Sequence, residues 1–199
     1  MAVLGGSLAA SFTSGYVYRD TIRDEVYPPL DRNEKEVLMR LNGNPKALQE
    51  WIATGTLADD ERFIGSLCPE TAKSCEVWTP AVHYLRTKKG DCDDVMALAH
   101  YVLNKSGKVL FLGGNSPNHV VYVYPGENGL YGVISIGASE YSLPKYKTID
   151  EVAQSFSGRY DYYREETLPD DDQILLYSFD LWERITRGPP KAIKANNGS

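Results

Sequence analysis

Gly90-Asp91-Cys92-Asp93-Asp94 is the stretch of this 199-residue sequence in which residue type and position combine into chemistry. It sets a cysteine at the first turn of an expected helix. Unpaired backbone N–H groups and the positive end of the helix dipole favour a thiolate there, which lowers the thiol pKa and makes a nucleophile. The thiol proton needs an acceptor, and His119, at the start of the next strand but one, is placed to take it. A helix-borne cysteine facing a histidine on a sheet is a geometry for acyl transfer, and first-turn N–H groups suit an oxyanion. The competing readings are a small buried core cysteine and a histidine satisfied within its strand. The acidic neighbours of Cys92 argue against a purely apolar burial, so the nucleophile is the reading carried forward.

The other candidates are weaker. His83 and His100 sit among apolar residues on expected helices and read as structural; His100 lies two turns along from Cys92, too far to be its base. Cys68 and Cys75 bracket a short turn-like loop that closes as a disulfide in an oxidising compartment, whereas two free thiols suit a reducing one. Pairing them leaves Cys92 as the odd thiol. Together with His83 they lack the spacing of a recognised zinc finger. Tyr160, Tyr162 and Tyr163 read as packing residues, and Asp170-Asp171-Asp172 as a helix start.

Trp78-Thr79-Pro80, the Gly-Asp-Cys-Asp-Asp segment, a helix closed by Gly107 and Asn118-His119-Val120-Val121 on a strand together resemble the transglutaminase-like superfamily. The likeness is strongest to the bacterial transglutaminase-like cysteine peptidases and spans about residues 78–136, under a third of the chain. It implies a papain-like core in which Cys92 attacks an amide of a peptide or protein substrate and His119 shuttles the proton. In that family an aspartate on the following strand orients the imidazole. Here that strand reads Leu130-Tyr131-Gly132-Val133-Ile134-Ser135-Ile136, and Ser135 falls where the aspartate belongs. A serine accepts a hydrogen bond from the ring but does not stabilise imidazolium as an anion does. Two expectations follow. One is hydrolytic acyl transfer with a neutral orienting residue. The other is a catalytically degenerate relative that acts as a structural or interaction subunit of a larger assembly, a viral one among the options, with a protein partner holding the tail from Gly188. In some bacterial relatives carboxylates beside the nucleophile bind calcium, which puts Asp91 and Asp93, with Asp94, forward as ligands; the alternative is that acids simply favour a first helical turn.

Several elements must position these residues. A helix is expected from the Asp31 cap through Arg40, a second from Pro45 through Trp51, a third over about Ala58 to Leu67, and a fourth from the Thr79-Pro80 start to near Gly90. The nucleophile helix covers Cys92 to Ser106. Short strands follow at Val109–Leu112, Val120–Tyr124 and Leu130–Ile136, the last two joined by an Asn128-Gly129 turn. Thr148 and Glu151 form a capping box, Tyr160–Arg164 is a candidate strand, Asp172–Thr186 a final helix, and Gly188–Ser199 a loose end. The fold class is α+β: a helical N-terminal region over 1–77, a core over 78–187 with the nucleophile helix packed on a small antiparallel sheet, and a tail over 188–199.

Composition narrows the function classes. Hydrophobic residues at 42% and charged residues at 24% exclude whole-chain disorder. The net charge is −6, and the basic residues are scattered, so nucleic acid is not an expected partner. Met1–Tyr18 carries no charged side chain, yet Ser, Thr and Gly interrupt it and no basic residue precedes it, so it reads as an arm rather than a secretory signal or membrane span. A trimmed precursor would read the same way. Membrane association is not expected, and an extracytoplasmic location fits only if Cys68 and Cys75 are paired.

Overall fold

The computed structural model describes residues 29–57, 81–104, 106–168 and 186–194. The N-terminal arm, the expected helices at 58–67 and 172–186, Trp78-Thr79-Pro80 and the Cys68–Cys75 loop lie outside the described residues.

Two short helices open the described chain. In α1 (Arg32–Leu41) the Asp31 carboxylate accepts the Glu34 N–H while the Glu34 carboxylate accepts the Asp31 N–H, each at 2.8 Å, satisfying two end groups reciprocally. In α2 (Pro45–Ile52) Asn44 caps through the Ala47 N–H, and proline sits where no intrahelical donor is needed. After β1 (Thr56–Leu57), α3 (Ala81–Thr87) leads to β2 (Lys89–Gly90), which pairs in parallel with β1. Arg86 of α3 reaches back to Glu34 at 2.6 Å, tying α3 to α1. Helix α4 (Cys92–Val102) ends earlier than the expected Ser106, because Asn104 takes a left-handed φ of 55°.

Strands β3 (Lys108–Gly113), β4 (His119–Pro125) and β5 (Tyr131–Ile134) form an antiparallel meander. Their β-branched and aromatic residues suit a pleated, half-buried surface. The turn between β4 and β5 uses positive φ at Gly129 alone, and the Asn128 side chain accepts the Leu130 N–H. Helix α5 (Ile149–Gln154) and β6 (Tyr162–Thr167) follow, then β7 (Thr186–Arg187) and β8 (Lys191–Ala192). The sheet order is β5-β4-β3-β6-β7, with β8 also on β6. Alternation along β4 divides the core. Val120, Tyr122 and Tyr124 face the cluster built with α2, α3 and α4, whereas Val121 and Val123 join Leu110, Leu112, Tyr163 and the α5 residues Val152 and Ala153. Burying each such side chain stabilises the fold by about 1.5–3 kcal/mol. This is an α+β fold with an antiparallel sheet and a helix that begins at Cys92.

Two expectations are corrected. The strand expected at Tyr160–Arg164 runs Tyr162–Thr167, because 157–160 is held in a turn with Gly158 at φ 85°. Residues 188–194, expected to be loose, are pinned to β6: the Gly188 N–H reaches Glu165 O at 3.0 Å, the Ile193 N–H reaches Asp161 O at 2.8 Å, and Ile193 is 8% exposed. An uncovered β6 edge would leave a row of unpaired backbone groups, and this segment pairs with them. As far as Lys194 the tail is held by its own chain. Among the described residues no helix is long and apolar enough to cross a membrane.

Candidate active site

The cysteine end of the site is built by a tight approach. A Cβ at Gly90 would collide with the Asp94 carboxylate and the Tyr84 ring, so only glycine lets the chain enter α4 here. Asp91 is the N-cap residue. Its backbone N–H donates to Asp94 Oδ2 at 2.9 Å, and its Oδ1 accepts the Asp93 N–H at 3.2 Å. Asp94, fully buried, is thereby committed to the cap. Cys92 is a half-buried free thiol packed against the helical core cluster. Burial, then the charges of Asp91 and Asp93, push the thiol up to about 12, outweighing the backbone amides of Val120 and Cys92, which favour the thiolate. The sequence expectation of a lowered pKa is therefore reversed. A dipole argument counts the amides of one helix turn; the folded site adds desolvation and two carboxylates. Asp93 is itself pushed well above the usual carboxylate range by burial, by its hydrogen bond with Asp91 and by the neighbouring charges.

The histidine end is different. His119 is the first residue of β4, paired with Leu112 of β3. Its Nε2 lies 2.9 Å from Ser135 Oγ, and that hydroxyl donates to Ile136 O at 3.1 Å. A hydroxyl has one proton; with that proton on Ile136 O, Ser135 accepts its second bond from the ring, which assigns the proton to Nε2. Nδ1 is then left with its lone pair. Burial and the nearby Arg159 charge hold His119 below 6.5, and Asp91 pulls the other way. Tyr160 stacks on the imidazole, with centroids 6.3 Å apart and planes at 16°.

A cleft of about 420 Å³ opens at His119, walled by Ser135, Ile136, Phe156, Arg159 and Tyr160 among others. Cys92 is not part of this wall; it opens α4, which packs against β4, the strand that begins at His119. Cys92, His119 and Ser135, separate in sequence, thus converge where α4, β4 and the end of β5 meet. His100 is buried, with Nδ1 3.4 Å from the Tyr122 hydroxyl, and His83 is half-buried on α3; neither belongs to the site.

Asp91, Cys92 and Asp93 bring one ligand atom each within 4.8 Å of one another. Calcium takes six to eight oxygens. Two carboxylates that hydrogen-bond each other, a thiol, and an Asp94 engaged in the cap fall short of that shell, so the expected calcium site does not fit the described residues and no step runs through it.

Sequence reading passed over three residues. Tyr160 is a cleft wall as well as a packing residue, and Arg159 sets the charge beside His119. Gln49 of α2 is 2% exposed and bonds the backbone of the Ser135 turn. One signal was available for it: Pro45, Leu48, Gln49 and Ile52 lie at the i, i+3, i+4, i+7 spacing of a buried stripe, where a polar residue is out of pattern. No protein-family model matches this chain, and a search of the curated proteins finds no match.

Proposed function

We propose that this chain carries out thiol-dependent acyl transfer on a peptide or protein amide, with water as the acceptor. The carrying observation is the 2.9 Å contact of His119 Nε2 with Ser135 Oγ at the mouth of a cleft, on the strand against which the helix of Cys92 packs. Because the thiol is raised and the imidazole lowered, the resting pair is neutral, and attack and proton transfer are coupled. Cys92 Sγ bonds to the carbonyl carbon as its proton passes to His119. Imidazolium then protonates the departing amine as the C–N bond breaks, leaving a thioester. Water, deprotonated by His119, attacks that thioester; the carboxylic acid leaves and the thiol recovers its proton. Ser135 holds the ring throughout.

The test is turnover of a peptide mixture together with labelling by iodoacetamide. Cys92→Ala should lower turnover by about a thousandfold or more and remove an adduct mapped to residue 92. The reading fails if wild type cleaves no peptide, or if Cys92→Ala cleaves as fast as wild type. That result would favour a second reading, a non-catalytic interaction subunit, for which the raised thiol and the serine in place of a carboxylate already speak.

A further inference from the structure

Ser135 lies one residue past the end of β5, where the strand ladder no longer holds the chain. Its place is taken by a side chain 86 residues away. Gln49 Oε1 accepts the Ser135 N–H at 3.1 Å, while Gln49 Nε2 donates to Ser135 O at 3.1 Å and to Ala138 O at 3.0 Å. One amide group thus imitates a neighbouring strand. It pairs both backbone groups of Ser135 and closes the turn that carries Ile136, Gly137 and Ala138 along the cleft. Fixing the Ser135 backbone on both sides fixes its Cα–Cβ direction, and that direction sets Oγ against His119 Nε2.

We propose that Gln49 is a positioning residue for the imidazole: through Ser135 it selects the Nε2–H form of His119 and keeps Nδ1 as the base. This rests on the reading of His119 as a base, but it concerns a property of the ring that exists without any substrate. The placement also explains why a polar side chain occupies the buried stripe of α2. Its amide pairs with the Ser135 N–H and with the carbonyls of Ser135 and Ala138, so the buried polar side chain is itself satisfied.

The test compares wild type with Gln49→Met, which keeps the length and removes all three bonds, and with Gln49→Asn, whose amide falls short. Circular dichroism and gel filtration select folded protein. Nitrogen NMR of the imidazole then reports the tautomer of His119. Wild type should show Nε2–H, and either folded variant should shift the ring toward a mixture, with the apparent pKa of His119 moved as well. Turnover, where present, should fall about tenfold to hundredfold in kcat with KM little changed. Ser135→Ala should produce the same tautomer shift, and adding Gln49→Met to it should produce no more. Gln49→Met is the deciding variant; if it does not fold, Gln49→Asn decides in its place. An unchanged tautomer and pKa in the folded variant would overturn the proposal even with Cys92 reactive. A shifted tautomer with an inert Cys92 would uphold it and sink the peptidase reading instead.

Discussion

Around Cys92 the charges are negative and close: Asp91, Asp93 and Asp94 crowd the first turn of α4, and the thiol is raised to about 12. Around His119 the wall is open to a cleft, the dominant charge is the Arg159 cation, and the ring is held below 6.5. The two ends of one site therefore push their protons in the same direction, onto sulfur and off nitrogen. An ion pair of thiolate and imidazolium needs the opposite arrangement. The contrast teaches that this site, if it turns over, stores no ready-made nucleophile and depends on the correct nitrogen being free at the moment of attack.

That contrast can be broken from either end. Beyond the loss caused by Cys92→Ala, the largest change is expected at Ser135. Ser135→Ala should lower kcat about tenfold to hundredfold, because the ring loses its anchor. Ser135→Asp should instead raise the His119 pKa by about one to two units by placing an anion against Nε2. The sign is fixed by the role of the ring: a base works above its pKa, so the acid limb of kcat/KM against pH starts below 6.5 in wild type and moves upward in Ser135→Asp. A limb that does not move would show that His119 is not the titrating base. Next in size is Asp91→Asn. Asparagine caps a helix as well as aspartate does, so α4 is retained while one charge facing the thiol is removed. The Cys92 pKa should fall by about one unit, and alkylation at mildly alkaline pH should speed up about threefold, since a more acidic thiol is also a softer attacker. Equal labelling rates would show that the Asp91 charge does not raise the thiol. The smallest effect belongs to Arg159→Gln, which should move the His119 pKa upward, toward its ordinary value, read as a shift of its NMR titration.

The fold was legible in the sequence where local chemistry decides it. Asp31 was read as a cap and Pro45 as a first-turn residue, and the helices begin there; the Asn44 cap and the Asp91–Asp94 capping box are added by the structure. The meander was legible because Val120 to Tyr124 alternates between two cores that both want apolar residues. The contact of Ser135 with His119 was expected from the resemblance, which put Ser135 at the position of the family's aspartate. What could not be read there depends on distance along the chain. The Gln49–Ser135 bonds join α2 to the end of β5, and the cover on β6 comes from residues 186–194. The sign of the Cys92 shift was misread for the same reason. Its helix favours a thiolate locally, while the desolvation that reverses it comes from the packing around that helix.

The clasp of residues 188–194 on β6 has a consequence for the order of assembly. Asp161, whose carbonyl accepts the Ile193 N–H, also donates its own N–H to Gly113 O and follows directly on Arg159 and Tyr160. That cleft wall is thus seated on β3 from one side and on residue 193 from the other. During synthesis from the N-terminus, Cys92, His119 and Ser135 all emerge well before Ile193. These three residues exist first, and the cleft wall beside His119 receives its backbone bond to residue 193 only when the clasp has been made.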